Sequence, residues 1–145
     1  MDPDTPPPRF DELCFKIGLA VIQGQKVQYA LAHYFGLFQI VRNKWTKSKA
    51  EESITKHLSK PMGVVIDALE NESILGSPIL QRVKLFKKER NWLAHDFDQE
   101  STPYIRNGQR IPEYISRMDS LIGESVGIIN ELSQLGEVLC PVLPA

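Results

Sequence analysis

The stretch FDELCFKIGLAVIQGQKVQYALAHYFGLFQIV, residues 10–41, decides which fold class the sequence predicts. Apolar and small residues recur in it every three or four positions without a break, which is the spacing of one face of a helix. The series consists of Phe10, Leu13, Ile17, Ala20, Gly24, Val27, Leu31, Tyr34, Phe38 and Val41. A seam of this length predicts a long bundle helix, and Gly24 within it predicts close approach of a neighbouring backbone.

Other apolar residues of this helix lie outside the seam. They are Leu19, Ile22, Leu37 and Ile40. We therefore expect the helix to bury more than one face, against its own bundle and against a second subunit.

The rest of the chain also has helical spacing, and no segment alternates with the period of two expected for a strand. Ser48 and Glu51 form a capping box that opens a short helix to about Leu58. A second short helix is predicted for Met62–Leu69, followed by a longer one that Ser77 caps, Pro78 starts and Phe97 ends. The polar stretch QESTPYIRNGQ, residues 99–109, reads as a loop before a last helix from Ile111 to Leu139.

These elements predict an all-α fold, an antiparallel helical bundle of three long helices plus one or two short helices. A single domain is expected over residues 10–139. Residues 1–9 form a disordered proline-rich tail in this prediction, and residues 140–145 form a C-terminal tail.

Composition excludes several classes of function. With 145 residues, 42% hydrophobic residues and a net charge of −1, the chain suits one soluble domain without a strong field toward nucleic acid. The two cysteines, Cys14 and Cys140, have no metal-type neighbours, and no glycine-rich loop cradles phosphate. We expect no metal, no cofactor and no membrane contact. The absence of a signal-like start predicts a cytoplasmic protein.

The helix that ends in ERNWLAHDF, residues 89–97, has a charged residue at an apolar position. Val83, Phe86, Leu93 and Phe97 fall on one stripe, and Arg90 occupies the position where a leucine is expected. An ionised guanidinium there needs either a carboxylate or an opening to solvent, because burying it unpaired is costly.

A basic strip flanks the stripe. Its members are Lys84, Lys87, Lys88, Asn91 and His95. Such a strip is compatible with a merely solvated helix face, as it is with a site that binds a polyanion. Two further histidines, His33 and His57, are expected to be structural, His33 packed beside the seam and His57 near the last carbonyls of its helix.

Arg90, followed directly by Asn91 and after four intervening residues by His95, resembles the signature of the HEPN superfamily. The order and length of the helices over residues 10–139 are also similar to that family. The resemblance implies a metal-independent endoribonuclease of a toxin–antitoxin or antiphage-defence system, working as a homodimer that brings two motifs into one cleft. It implies that His95 acts as acid and base, that Arg90 stabilises the phosphorane and that Asn91 orients either group. Lys84, Lys87 and Lys88 would attract the RNA.

The alternative is a catalytically silent HEPN-like interaction or RNA-binding module. Arg90 would then form a structural ion pair with a carboxylate such as Asp67 or Glu70, and the apolar surface of the first helix would bind a protein partner. In the nuclease interpretation the toxin would have an antitoxin as its partner.

Overall fold

The structure is a computed structural model that describes residues 4–140. Within that range the order of elements is α1 (Phe10–Asn43), α2 (Lys47–Leu58), α3 (Met62–Asn71), α4 (Ser77–His95), α5 (Phe97–Arg106) and α6 (Ile111–Leu139). The described residues contain no strand, so the predicted all-α class is confirmed. Of the two predicted tails, residues 1–3 and 141–145 lie outside the described residues, and residues 4–9 have no regular secondary structure.

The predicted seam of α1 is the centre of the hydrophobic core. Its inward residues Leu13, Ala20, Val27 and Leu31 are fully or almost fully buried. They pack in one cluster with residues of α4 and α6 such as Val83. Since burying a large apolar side chain contributes about 1.5–3 kcal/mol, this seam is a main source of stability.

The first and last helices run in the same direction, which corrects the prediction of a wholly antiparallel bundle. Lys16 of α1 forms an ion pair with Asp119, and farther along both helices Gln23 accepts a hydrogen bond from Ser125. The residue numbers therefore rise together on both helices. The long α4 runs the opposite way, because Glu89 near its end meets Arg117 near the start of α6.

The short helices α2 and α3 cover a second face of α1, but only over its second half. Gln28 donates hydrogen bonds to the carbonyls of Lys60, at 2.7 Å, and His57, at 3.2 Å. Farther on, Ile54 of α2 packs against Gly36. This confirms that α1 buries more than one face within its own chain. The first half of α1 keeps exposed apolar residues, which matters for the site below.

Two helix starts differ from the predicted caps. Thr46, and not Ser48, caps α2 by accepting a hydrogen bond from the amide of Lys49 at 3.1 Å. At α4 the N-cap position is Gly76, so Ser77 already belongs to the first turn and its hydroxyl caps no amide. The proline in that first turn is compatible with the helix because its position there has no intrahelical donor to lose.

A third short helix, α5, replaces most of the predicted loop over residues 99–109. The chain turns at Asp96, and α5 begins at Phe97. Phe97 and Ser101 are buried and Ile105 packs against the core, so the packed face of α5 consists of every fourth residue. Because a serine occupies the middle of that row and Pro103 follows, the stretch has the composition of a loop.

The two other histidines have surroundings that differ from those predicted, and His33 is not packed beside the seam as expected. His57 is buried, with its ring centroid 5.0 Å from that of Phe35 and its Nδ1 3.4 Å from Ser53 Oγ. Burial lowers the pKa of His57 below its ordinary value. His33 is exposed beside Tyr29, with ring centroids 4.0 Å apart.

We expect Ser73→Gly to stabilise the protein by about 0.5–1 kcal/mol. Ser73 lies two residues after the end of α3 in the left-handed region with φ 55°, and the next amide, of Ile74, donates to the carbonyl of Leu69 at 2.9 Å. The equivalent turn after α5 already uses glycine, Gly108 with φ 66°. Denaturant unfolding measures the gain, and Ser73→Ala is the control because it keeps a Cβ atom in the same strained conformation. Equal stability of the two variants would contradict the prediction.

Candidate functional site at the junction of α1 and α4

Arg90 continues the buried stripe of α4, as the helical spacing predicts. Val83, Phe86 and Leu93 are buried on this stripe, and Arg90 between them is half-buried. Its side chain therefore leaves α4 toward the core and not toward bulk solvent.

The stem of Arg90 crosses α1 at Gly24. A Cβ atom placed on Gly24 would lie 3.2 Å from Nε, 3.3 Å from Cδ and 3.4 Å from Cγ of Arg90. Close approach at Gly24 was predicted for a neighbouring backbone, whereas the group that approaches is this arginine side chain. At this contact α1 contributes Gly24 and α4 contributes the cationic side chain of Arg90.

The guanidinium of Arg90 has no carboxylate partner among residues 4–140, where it also makes no hydrogen bond. Glu70, one of the two expected partners, forms an ion pair with Lys84 instead. The other, Asp67, is exposed and forms no ion pair within the same range. The half-buried charge is thus left with unused donors.

Arg82, on the same helix, shows what a paired arginine looks like in this fold. It crosses Gly127 of α6 much as Arg90 crosses a glycine of α1. Arg82 forms ion pairs with Glu124 and, at 2.9 Å, with Glu131. The hydrogen bond with Glu124 chiefly raises the pKa of Arg82 above its already high ordinary value. Arg90, in contrast, is an arginine whose charge is not neutralised by any carboxylate among residues 4–140.

Asn91 and His95 are exposed and form no hydrogen bond within the described part of the chain. On a helix they lie about 40° apart, so they share one face, whereas Arg90 and His95 diverge by about 140°. One copy of α4 therefore does not direct the guanidinium and the imidazole toward the same side.

The lysines of the strip have different surroundings. Lys84 forms an ion pair with Glu70. Lys87 extends over α3, where its Nζ would lie 3.3 Å from a Cβ atom on Gly63. Lys88 is exposed and has no ion pair among residues 4–140. Two of the three predicted RNA-binding lysines, Lys87 and Lys88, thus lack a carboxylate partner in this range.

A surface cleft of about 590 Å³ lies beside the motif. It is lined by Lys87, Lys88, Glu89, Asn91, Trp92, Asp96 and Arg117. Asn91, Lys87 and Lys88 therefore border one space, whereas neither Arg90 nor His95 lines it.

Arg117 of α6 is the site residue that sequence reasoning missed. Its guanidinium carbon lies 3.3 Å from the centroid of the Trp92 ring, and it forms an ion pair with Glu89. Trp92 in turn donates to Glu100 of α5 at 3.4 Å. This network fixes the end of α4 to α5 and α6. No sequence signal marks Arg117, because its role depends on how α6 passes α4.

No helix within residues 4–140 is long and apolar enough to cross a membrane, and no cluster of three metal-type side chains occurs in that range. Comparison with family models, curated proteins and solved structures gave no match to this chain.

Proposed function

We propose that this protein is a metal-independent endoribonuclease of the HEPN type and a component of a toxin–antitoxin or antiphage-defence system. The observation that carries the proposal is the half-buried Arg90, unpaired within the described residues, beside the exposed Asn91 and His95. An unsatisfied guanidinium that retains five donors is suited to a phosphate, which it can bind through two parallel hydrogen bonds.

The reaction follows from the functional groups. His95 accepts the proton of a ribose 2′-hydroxyl, whose oxygen attacks the adjacent phosphorus. The bond from phosphorus to the 5′-oxygen breaks, and an imidazolium returns a proton to that oxygen. An imidazole suits both steps near neutral pH. Arg90 stabilises the negative charge on the phosphorane, and Asn91 orients the imidazole or the phosphate. The products carry 2′,3′-cyclic phosphate and 5′-hydroxyl ends.

Two lysines support an RNA substrate even though the net charge is −1 and the carboxylates of Glu89 and Asp96 line the same cleft. Lys87 and Lys88 border the same cleft as Asn91 and have no carboxylate partner among residues 4–140. Each phosphate that such lysines neutralise releases bound counterions, so salt weakens the binding steeply. Lys84, paired with Glu70, contributes to RNA binding by exchanging that carboxylate for phosphate.

A homodimer completes the site in this proposal. The divergence of Arg90 and His95 along one helix is overcome when a second copy supplies the other group. Val21, 43% exposed, lies one turn before Gly24 and about 60° from it around α1, so it gives the second copy an apolar side chain to cover beside the motif.

We expect Val21→Lys to weaken the dimer at least tenfold, because a lysine at this position brings a charge into the apolar contact. Light scattering over a range of concentrations measures the dissociation constant. Val138→Lys is the matched control, since Val138 is 79% exposed near the far end of α6. A wild-type protein that stays monomeric at all concentrations would refute the dimer.

The alternative function is a silent interaction or RNA-binding module, and one observation favours an interaction surface. Phe15, Ile22 and Tyr29 lie seven residues apart on α1 and are 67%, 51% and 54% exposed, so they form an apolar row along the helix. The ion pair of Arg90 that this alternative assumed is not formed among the described residues.

Incubation of mixed RNA with the purified protein in EDTA decides between the two. The nuclease proposal expects fragments whose 5′ ends accept phosphate from a polynucleotide kinase directly and whose 3′ ends require removal of a cyclic phosphate. Intact RNA at high protein concentration favours the silent module. Cleavage that occurs only when a metal ion is added contradicts the proposed mechanism.

A further inference from the structure

A side chain on Gly24 would meet the stem of Arg90, because three consecutive Arg90 atoms lie within 3.4 Å of a Cβ atom placed there. Gly24 lies inside a regular helix and has no positive φ, so the backbone does not require glycine. Glycine is also a poor residue for a helix interior compared with alanine. Glycine at position 24 therefore leaves space for the Arg90 side chain.

We infer that Gly24 is a positioning residue, which forms a slot that holds the stem of Arg90 and aims its guanidinium at the phosphate of the RNA. This inference rests on the proposed ribonuclease function and specifies what orients the cation. Because the slot restricts Cγ, Cδ and Nε, much of the conformational freedom of the arginine is lost before substrate binds. The guanidinium can then stabilise charge as it develops, without rearranging.

The chain offers a matched control on the same helix. A Cβ atom on Gly36 would lie 3.2 Å and 3.3 Å from two carbons of Ile54, so the crowding is nearly equal. Gly36 is buried like Gly24, but its neighbour is apolar and belongs to α2. Alanine at either position therefore imposes a similar steric change, and only alanine at position 24 displaces the arginine.

The first test is a double-mutant cycle on thermal stability, and it does not depend on activity. Gly24→Ala is expected to lower Tm in the wild-type background. In the Arg90→Ala background, where the slot is empty, the same substitution is expected to raise Tm, since alanine favours the helix. The two changes should differ by about 4 °C or more. Equal changes in both backgrounds would overturn the inference, because the stem would then not occupy the slot.

The second test separates positioning from structure. Gly24→Ala is expected to lower kcat for RNA cleavage roughly tenfold with KM little changed, since a shift of a few tenths of an ångström spoils orientation more than attraction. Gly36→Ala should leave both constants near the wild-type values. If both variants lose activity equally, general destabilisation explains the loss and the inference fails.

A third measurement distinguishes failure of the inference from failure of the proposed function. Binding of a 2′-O-methyl RNA oligonucleotide, which cannot be cleaved by attack of its own 2′-oxygen, is compared in the same variants. If the wild type leaves all RNA intact but binds the oligonucleotide, the nuclease proposal fails, and the inference is then decided by the double-mutant cycle on Tm alone. If the wild type does not bind the oligonucleotide either, the inference fails with the proposed function.

Discussion

His95→Ala is expected to reduce RNA cleavage in EDTA by about 100- to 10,000-fold, the range that a positioned acid–base group contributes. The imidazole is exposed at the end of α4 and forms no hydrogen bond or ion pair within the described residues. Its removal should therefore leave the fold intact, and Tm should change little. Loss of activity without loss of stability is the combined result that assigns His95 to the chemistry.

The control for this substitution is His33→Ala. His33 is another exposed histidine, but it lies on α1 beside Tyr29. The His33→Ala variant should therefore cleave RNA at the wild-type rate. Activity that survives in His95→Ala would exclude His95 as the acid or base and would point to a contaminating nuclease or a different site.

Arg90→Met is expected to abolish most cleavage and at the same time to stabilise the protein. The loss in kcat should be about 100- to 1000-fold, as for removal of a group that binds a developing oxyanion. Stability should rise by about 1 kcal/mol, because methionine fills an apolar stripe in which the charge has no carboxylate partner among residues 4–140. A change that improves the fold and removes the activity indicates a residue kept for function.

Arg82→Met, on the same helix, should have the opposite effect on stability. It deprives Glu124 and Glu131 of their partner, and the loss is expected to be about 0.5–1 kcal/mol, since these groups are more than a third exposed to solvent. Denaturant unfolding of both variants gives the comparison. If Arg90→Met unfolds more easily than the wild type, Arg90 holds the bundle together and the functional assignment is wrong.

The parts of the fold that sequence predicted well are those with long, uninterrupted spacing. The seam from Phe10 to Val41 and the last helix from Ile111 to Leu139 are both present. α5 was missed because its packing row consists of only Phe97, Ser101 and Ile105, one of them polar. A periodic signal carried by so few residues is indistinguishable from a loop. The parallel direction of α1 and α6 was also missed, since helix lengths alone do not specify how the chain crosses between them.

The candidate site was predictable only where one helix defines it. Arg90 was identified because it breaks a stripe on its own helix, and the structure places it half-buried in that stripe. The sequence indicated Gly24 as a point of close approach, but it did not indicate that Arg90 is the group that approaches. Arg117 and its contact with Trp92 could not be predicted, because they join residues of α4 and α6 that only the tertiary fold brings together.

The parallel packing of α1 on α6 has a consequence for how the protein is made. The first helix and the last helix form contacts such as Lys16–Asp119 across most of the chain, so they have a high contact order. During synthesis α1 emerges early, and the part of its apolar seam that faces α6 stays uncovered until α6 has been translated. The ion pair of Glu89 with Arg117 forms equally late. A ribosome-bound fragment that ends before α6 thus has the whole motif but lacks the contacts of Arg117 with Glu89 and Trp92 that hold the end of α4.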